Sequence, residues 1–171
     1  EQPIKDHLSE SKDITFLQAW IPNDLASASS RNIDPMYQPS TRTTLPGTNV
    51  LTLDRADIST SGVTANYVVS YRYVQVRDEW QLQRYEIRNV GLATQTITKV
   101  GVAHQLASPP PTWNPTQSPV HAVSVTSRNQ VVLRPIGEDV QVTFGSGQEF
   151  TTGGAGLSSQ DQLPTDRSWR V

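Results

Sequence analysis

Between residues 47 and 145, apolar and polar side chains alternate with a period of two, broken by short clusters of turn-forming residues. Such alternation puts successive side chains on opposite faces of a strand. The clearest stretch is Val63 to Val76. Val63, Ala65, Tyr67, Val69, Tyr71 and Tyr73 share one face, while Thr64, Asn66, Ser70 and Arg72 share the other. Trp80 to Val90 reads as its hairpin partner, with the tip at Arg77-Asp78-Glu79. Trp80 and Leu82 fall in one phase and Tyr85 and Ile87 in the opposite one, which predicts a bulge near Gln83-Arg84. Further strands are expected over Asn49–Leu53, Thr94–Val102, Val120–Thr126, Gln130–Leu133 and Asp139–Phe144. Asn89-Val90-Gly91, Arg128-Asn129 and Ile136-Gly137-Glu138 supply turns. Ser108 to Pro115 forms a proline-rich loop that no central strand could contain. Six or seven short strands at regular spacing, without an amphipathic helix between them, predict an all-β antiparallel sandwich, immunoglobulin-like or jelly-roll-like.

The flanks differ in character. Residues 1–46 are punctuated by Pro3, Pro22, Pro35, Pro39 and Pro46 and read as an extended N-terminal arm. One apolar island, Ile14 to Ile21, interrupts it. It fits either a strand or a short helix capped near Ser11 or Asp13, and we read it as a strand. Residues 146–171 are rich in Gly, Ser and Gln and read as a flexible C-terminal arm. The expected organisation is therefore an arm over 1–46, a sandwich over 47–145 and an arm over 146–171. The chain starts at Glu1 and its sole methionine is Met36, so a processed or truncated N-terminus is expected.

The run Arg84-Tyr85-Glu86-Ile87-Arg88-Asn89-Val90-Gly91 followed by Thr94-Gln95-Thr96-Ile97-Thr98 resembles the paired strands of immunoglobulin-like modules in bacterial and viral surface proteins. Val131 to Phe144, with Pro135 and Gly137 at its centre, resembles their strand–Pro–Gly–strand corner. The chain departs from antibody-type domains in having no cysteine. The resemblance implies the fold and a habit of adhesion or assembly, and it transfers no functional residue.

Charge narrows the function classes. With 14 basic and 16 acidic residues and no run of either sign, the chain lacks the basic stripe that nucleic-acid binding needs. No segment approaches the roughly 20 apolar residues of a membrane span. The absence of cysteine removes disulfides, thiol catalysis and cysteine-ligated zinc. His7, His104 and His121 have no metal-ligand spacing, and Ser146 lies between glycines without the full nucleophile-elbow pattern. Asp54 with Asp57, and Asp78 with Glu79, are the best carboxylate pairs for acid–base chemistry, though acids at hairpin tips equally serve solubility. No catalytic, cofactor-binding or metal-binding residue is therefore expected. Tyr67, Tyr71 and Tyr73 could form a sugar-stacking platform, although the same spacing is that of an ordinary core face.

The expectation that follows is a non-enzymatic structural or assembly subunit of a virion, an extracellular filament or a cell envelope. Its partners would be copies of itself or other subunits, gripped through Phe16, Leu17, Trp20, Ile21, Trp113 and Trp169. Extended segments at Ile14–Ile21 and Ser168–Val171 would add to a neighbour's sheet edge. A carbohydrate-binding or adhesive module is the alternative.

Overall fold

The computed structural model describes residues 2–58, 62, 64–106, 113–114, 116–125, 129–137, 139–146 and 167–170. The described chain is mostly β. Helix α1 (Gln2–Ser27) is followed by β1 (Ser30–Asn32), β2 (Thr48–Ile58), β3 (Thr64–Val76), β4 (Glu79–Arg88) and β5 (Thr96–Leu106). These five strands form one antiparallel sheet in the order β1-β2-β3-β4-β5. A second antiparallel sheet takes β6 (His121–Ser124), β7 (Asn129–Ile136), β8 (Asp139–Ser146) and β9 (Arg167–Arg170), again consecutively. An immunoglobulin or jelly-roll Greek key pairs strands distant in sequence. Among the described strands, every sheet neighbour is a sequence neighbour.

The predicted face of β3 is the core. Tyr67, Val69, Tyr71 and Tyr73 join Leu51, Leu53 and Leu82 of the first sheet and Val131, Leu133, Val142 and Phe144 of the second in one apolar cluster. The opposite face of the first sheet is buried too, through a smaller cluster of Leu45, Val68, Val74, Tyr85 and Ile87. The phase change along β4 follows from burial of both faces, Leu82 feeding one cluster and Tyr85 and Ile87 the other, and a register irregularity with β5 between Leu82 and Gln83 falls beside the expected bulge. The β3–β4 register runs unbroken from Tyr67↔Arg88 to Val76↔Glu79, and irregularities occur only on the β5 side, between Trp80 and Gln83.

The segment 33–47 lies over that second face, fixed by a buried arginine. Arg72 donates to the carbonyls of Pro46 (2.7 Å), Gly47 (3.1 Å) and Tyr37 (3.2 Å). Burial lowers its guanidinium pKa, and the three carbonyls replace the water it has lost. Gly47 has φ of +74°, and a Cβ there would stand 2.3 Å from the Tyr73 carbonyl oxygen, so the approach needs glycine.

The N-terminal region corrects two sequence expectations. Residues 2–27 are helical, so the island Ile14–Ile21 is part of a helix and not a strand. Nor is the N-terminal region a free arm, because Leu17, Ile21, Leu25 and Ile33 belong to the main core. Leu17, Ile21 and Leu25 recur every fourth residue, the spacing of a helical stripe. Pro3 lies in the first turn, where the missing N–H costs nothing. Pro22 does remove an internal hydrogen bond, at roughly 3 kcal/mol. Burial of the stripe offsets that cost, since each leucine or isoleucine contributes about 1.5–3 kcal/mol. At the other end, Arg167–Arg170 pairs with β8 of its own chain, Val142 opposite Trp169, in place of the expected addition to a neighbour's sheet. The Gly153–Gly156 stretch lies outside the described residues.

Candidate functional site

Two acidic residues on the buried stripe of α1 carry its polar attachments. Asp13 and Asp24 are eleven residues apart, about three helical turns, so both face the sheet. Asp13 accepts the backbone N–H of His104 on β5 at 2.8 Å, and its second oxygen lies 3.1 Å from His104 Nδ1. Among the described strands β5 is the outer one of its sheet, and this carboxylate caps one of its edge N–H groups. Asp24 takes a two-pronged grip from Arg84 of β4, Nε at 2.9 Å and Nη2 at 2.8 Å. The Tyr71 hydroxyl donates to the same carboxylate. The Arg84 and Asp24 side chains are only 3% and 2% exposed.

The surroundings strengthen this pair. The Arg84 guanidinium lies 4.3 Å from the centre of the Trp20 ring, and Nη1 reaches Glu86 at 3.3 Å. Burial alone would lower the Arg84 pKa, but its bonds to Asp24 raise it above the usual arginine value. Burial, then the adjacent Asp24 charge, pushes the Tyr71 hydroxyl well above the ordinary tyrosine range. Both groups thus hold their protons throughout the physiological range. The constellation acts as a latch between helix and sheet.

A concave site occurs elsewhere. Where β1 meets the β7–β8 hairpin, a cavity of about 350 Å3 is lined by Arg31, Asn32, Asp34, Trp113 and Asp139, among others. Arg31 on the first sheet donates from Nη2 to Asp139 Oδ1 on the second at 2.6 Å. Trp113 donates from Nε1 to the Ser118 carbonyl at 2.8 Å, and its ring stacks on His121 at 5.6 Å between centroids and 8° between planes. His121 is buried, and desolvation lowers its pKa to about 4.

The residues expected to grip a partner are scattered. Phe16 is 38% exposed on the outer face of α1. Leu17 and Ile21 are 0% and 2% exposed within the core, so neither is open to a partner. Trp20 is partly buried beneath Arg84, and Trp113 is partly buried at the cavity. Trp169 is placed by its backbone at the edge of the second sheet. The tyrosine platform does not form, because Tyr67, Tyr71 and Tyr73 are all buried. Asp78 and Glu79 do lie at the hairpin tip, where Glu79 accepts from Gln81. Asp54 accepts from Ser30 at 2.9 Å. Among the described residues, no three of the His, Asp and Glu side chains come together as metal ligands.

Sequence reasoning missed Asp13, Asp24, Arg31, Arg84 and Asp139 as interacting groups. Their long-range partners are 47 to 108 residues away, and no local spacing announces such pairs. Compared with family models, curated proteins and solved structures, the chain matches none.

Proposed function

We propose that this chain is a non-enzymatic structural subunit that assembles with copies of itself, its two sheets forming a β-sandwich body and α1 its rigid contact element. The latch of Asp24 on Arg84 and Tyr71 carries this reading, since it fixes a long helix on the body and leaves one face outward. That face presents Lys12, Thr15, Phe16, Ala19, Asn23, Ala26 and Ser27, all exposed. A solvent-facing helix surface normally carries many charges. Here Lys12 is the only one among those seven. Over residues 12–27 this nearly uncharged face meets its own copy without like-charge repulsion, and a helix already fixed on the body loses little backbone entropy on contact. A virion, an extracellular filament or an envelope layer is the setting in which such packing repeats.

The test is the mass of the full chain in solution by light scattering across a concentration series. Self-association is expected, with Phe16→Glu and Ala19→Glu shifting the chain to monomer while leaving its circular dichroism unchanged. A wild-type chain that stays monomeric at the highest concentrations, or association untouched by both substitutions, overturns the proposal.

A further inference from the structure

The cavity between β1 and the β7–β8 hairpin has walls of mixed chemistry, each held by the fold. Trp113 provides the aromatic wall. Its indole N–H is tied to Ser118 and one ring face rests on His121, so the ring has a fixed plane. Arg31 is set by its ion pair to Asp139. The Asp34 backbone N–H donates to Asn32 Oδ1 at 2.8 Å, and Asp34 Oδ1 accepts from the Met36 N–H at 2.9 Å, fixing that turn. Gly137 adds no bulk at the mouth, and a Cβ there would meet nothing within 4 Å.

We propose that this cavity binds a neutral saccharide, one pyranose ring stacking on Trp113 with its hydroxyls bonded by Asp34, Asp139, Asn32 and Arg31. The volume of about 350 Å3 lies at the small end of the roughly 300–1,000 Å3 spanned by small-molecule sites, which suits one or two sugar units. Charge argues against an anion, because Arg31 is outnumbered by Asp34 and Asp139 and already paired. A purely apolar ligand would strip water from four polar side chains without replacing it. An ammonium ligand would use the carboxylates and the indole but could not accept from the Asn32 amide. A sugar matches all of them, since each hydroxyl both donates and accepts while the C–H face of the ring packs on an aromatic plane. This inference is independent of the assembly surface, which lies on α1.

Saturation-transfer NMR on the full chain with glucose, galactose, N-acetylglucosamine and cellobiose tests it. Transfer to the ring protons of at least one sugar is expected at millimolar concentration. Asp34→Ala, at an exposed side chain, should weaken the Kd about tenfold, the loss of one or two hydrogen bonds to a charged group. Trp113→Ala should abolish transfer, and Trp113→Phe, which keeps a ring and guards against misfolding of the alanine variant, should retain part of it. No transfer from any of the four sugars, or transfer unchanged in both Asp34→Ala and Trp113→Phe, overturns the assignment.

Discussion

Replacing Asp24 with alanine tests the latch most directly. The substitution leaves the Arg84 guanidinium buried, with Glu86 at 3.3 Å and the Trp20 ring as its remaining partners, and strips the Tyr71 hydroxyl of its acceptor. Removing one member of a buried ion pair costs about 3–5 kcal/mol, chiefly because the surviving charge stays desolvated. The loss of the Tyr71 bond belongs to the same network and is not added separately. We expect a destabilisation of about 4 kcal/mol, a large share of the roughly 5–15 kcal/mol that holds a domain folded. At about 2–4 °C per kcal/mol for a chain of this size, the Tm should fall by about 8–16 °C. Thermal and urea melts followed by circular dichroism measure it. A double variant, Asp24→Leu with Arg84→Met, should recover most of the loss, because it removes both desolvated charges together. A cost below about 1 kcal/mol for Asp24→Ala, the range of exposed pairs, would refute the buried-latch reasoning.

Leu17→Ala should cost about 2–5 kcal/mol through the cavity it opens under α1, read as a shift in urea midpoint; an unchanged midpoint would mean that the helix does not complete the core. His121 predicts a pH dependence. In the unfolded chain it binds a proton near 6.5, whereas in the fold it resists protonation until about 4, and its buried Nδ1 has no hydrogen-bond partner among the described residues. The unfolded state therefore takes up the proton first, so the His121 contribution is constant above pH 6.5 and falls by about 3 kcal/mol as the pH drops through this window toward 4. Urea midpoints measured against pH should show this slope in the wild type and a shallower one in His121→Phe; equal slopes would contradict it.

What could be read from the sequence was what is written locally. The alternation through Tyr67, Val69, Tyr71 and Tyr73 identified both the strand and its buried face, and Arg77-Asp78 marked the hairpin tip correctly. The phase change at Gln83 was visible, but it reflects burial of both sheet faces, which depends on the distant segment 33–47. The helix was hidden because Pro3 and Pro22 read as breakers and the apolar residues read as a run from 14 to 21. Its stripe is Leu17, Ile21 and Leu25 with Asp13 and Asp24 in phase, and two buried acids look polar until their partners are known. Trp113 stood out in the sequence by the prolines around it, whereas the Arg31–Asp139 pair beside it joins residues 108 apart and gave no local sign.

The consecutive order of both sheets bears on how the chain reaches this shape. Each strand pairs with a sequence neighbour, across two residues in the β3–β4 and β7–β8 hairpins but across 15 and 20 residues for β1–β2 and β8–β9, and contacts between sequence neighbours favour fast closure. Helix α1 is the exception: its two carboxylates await Arg84 and His104, 60 and 91 positions downstream. During synthesis, at about 5–20 residues per second, its apolar stripe therefore emerges several seconds before the strands that will cover it. Over that interval Leu17, Ile21 and Leu25 have no sheet to dock on, and any holding factor or premature neighbour would meet the chain at this stripe.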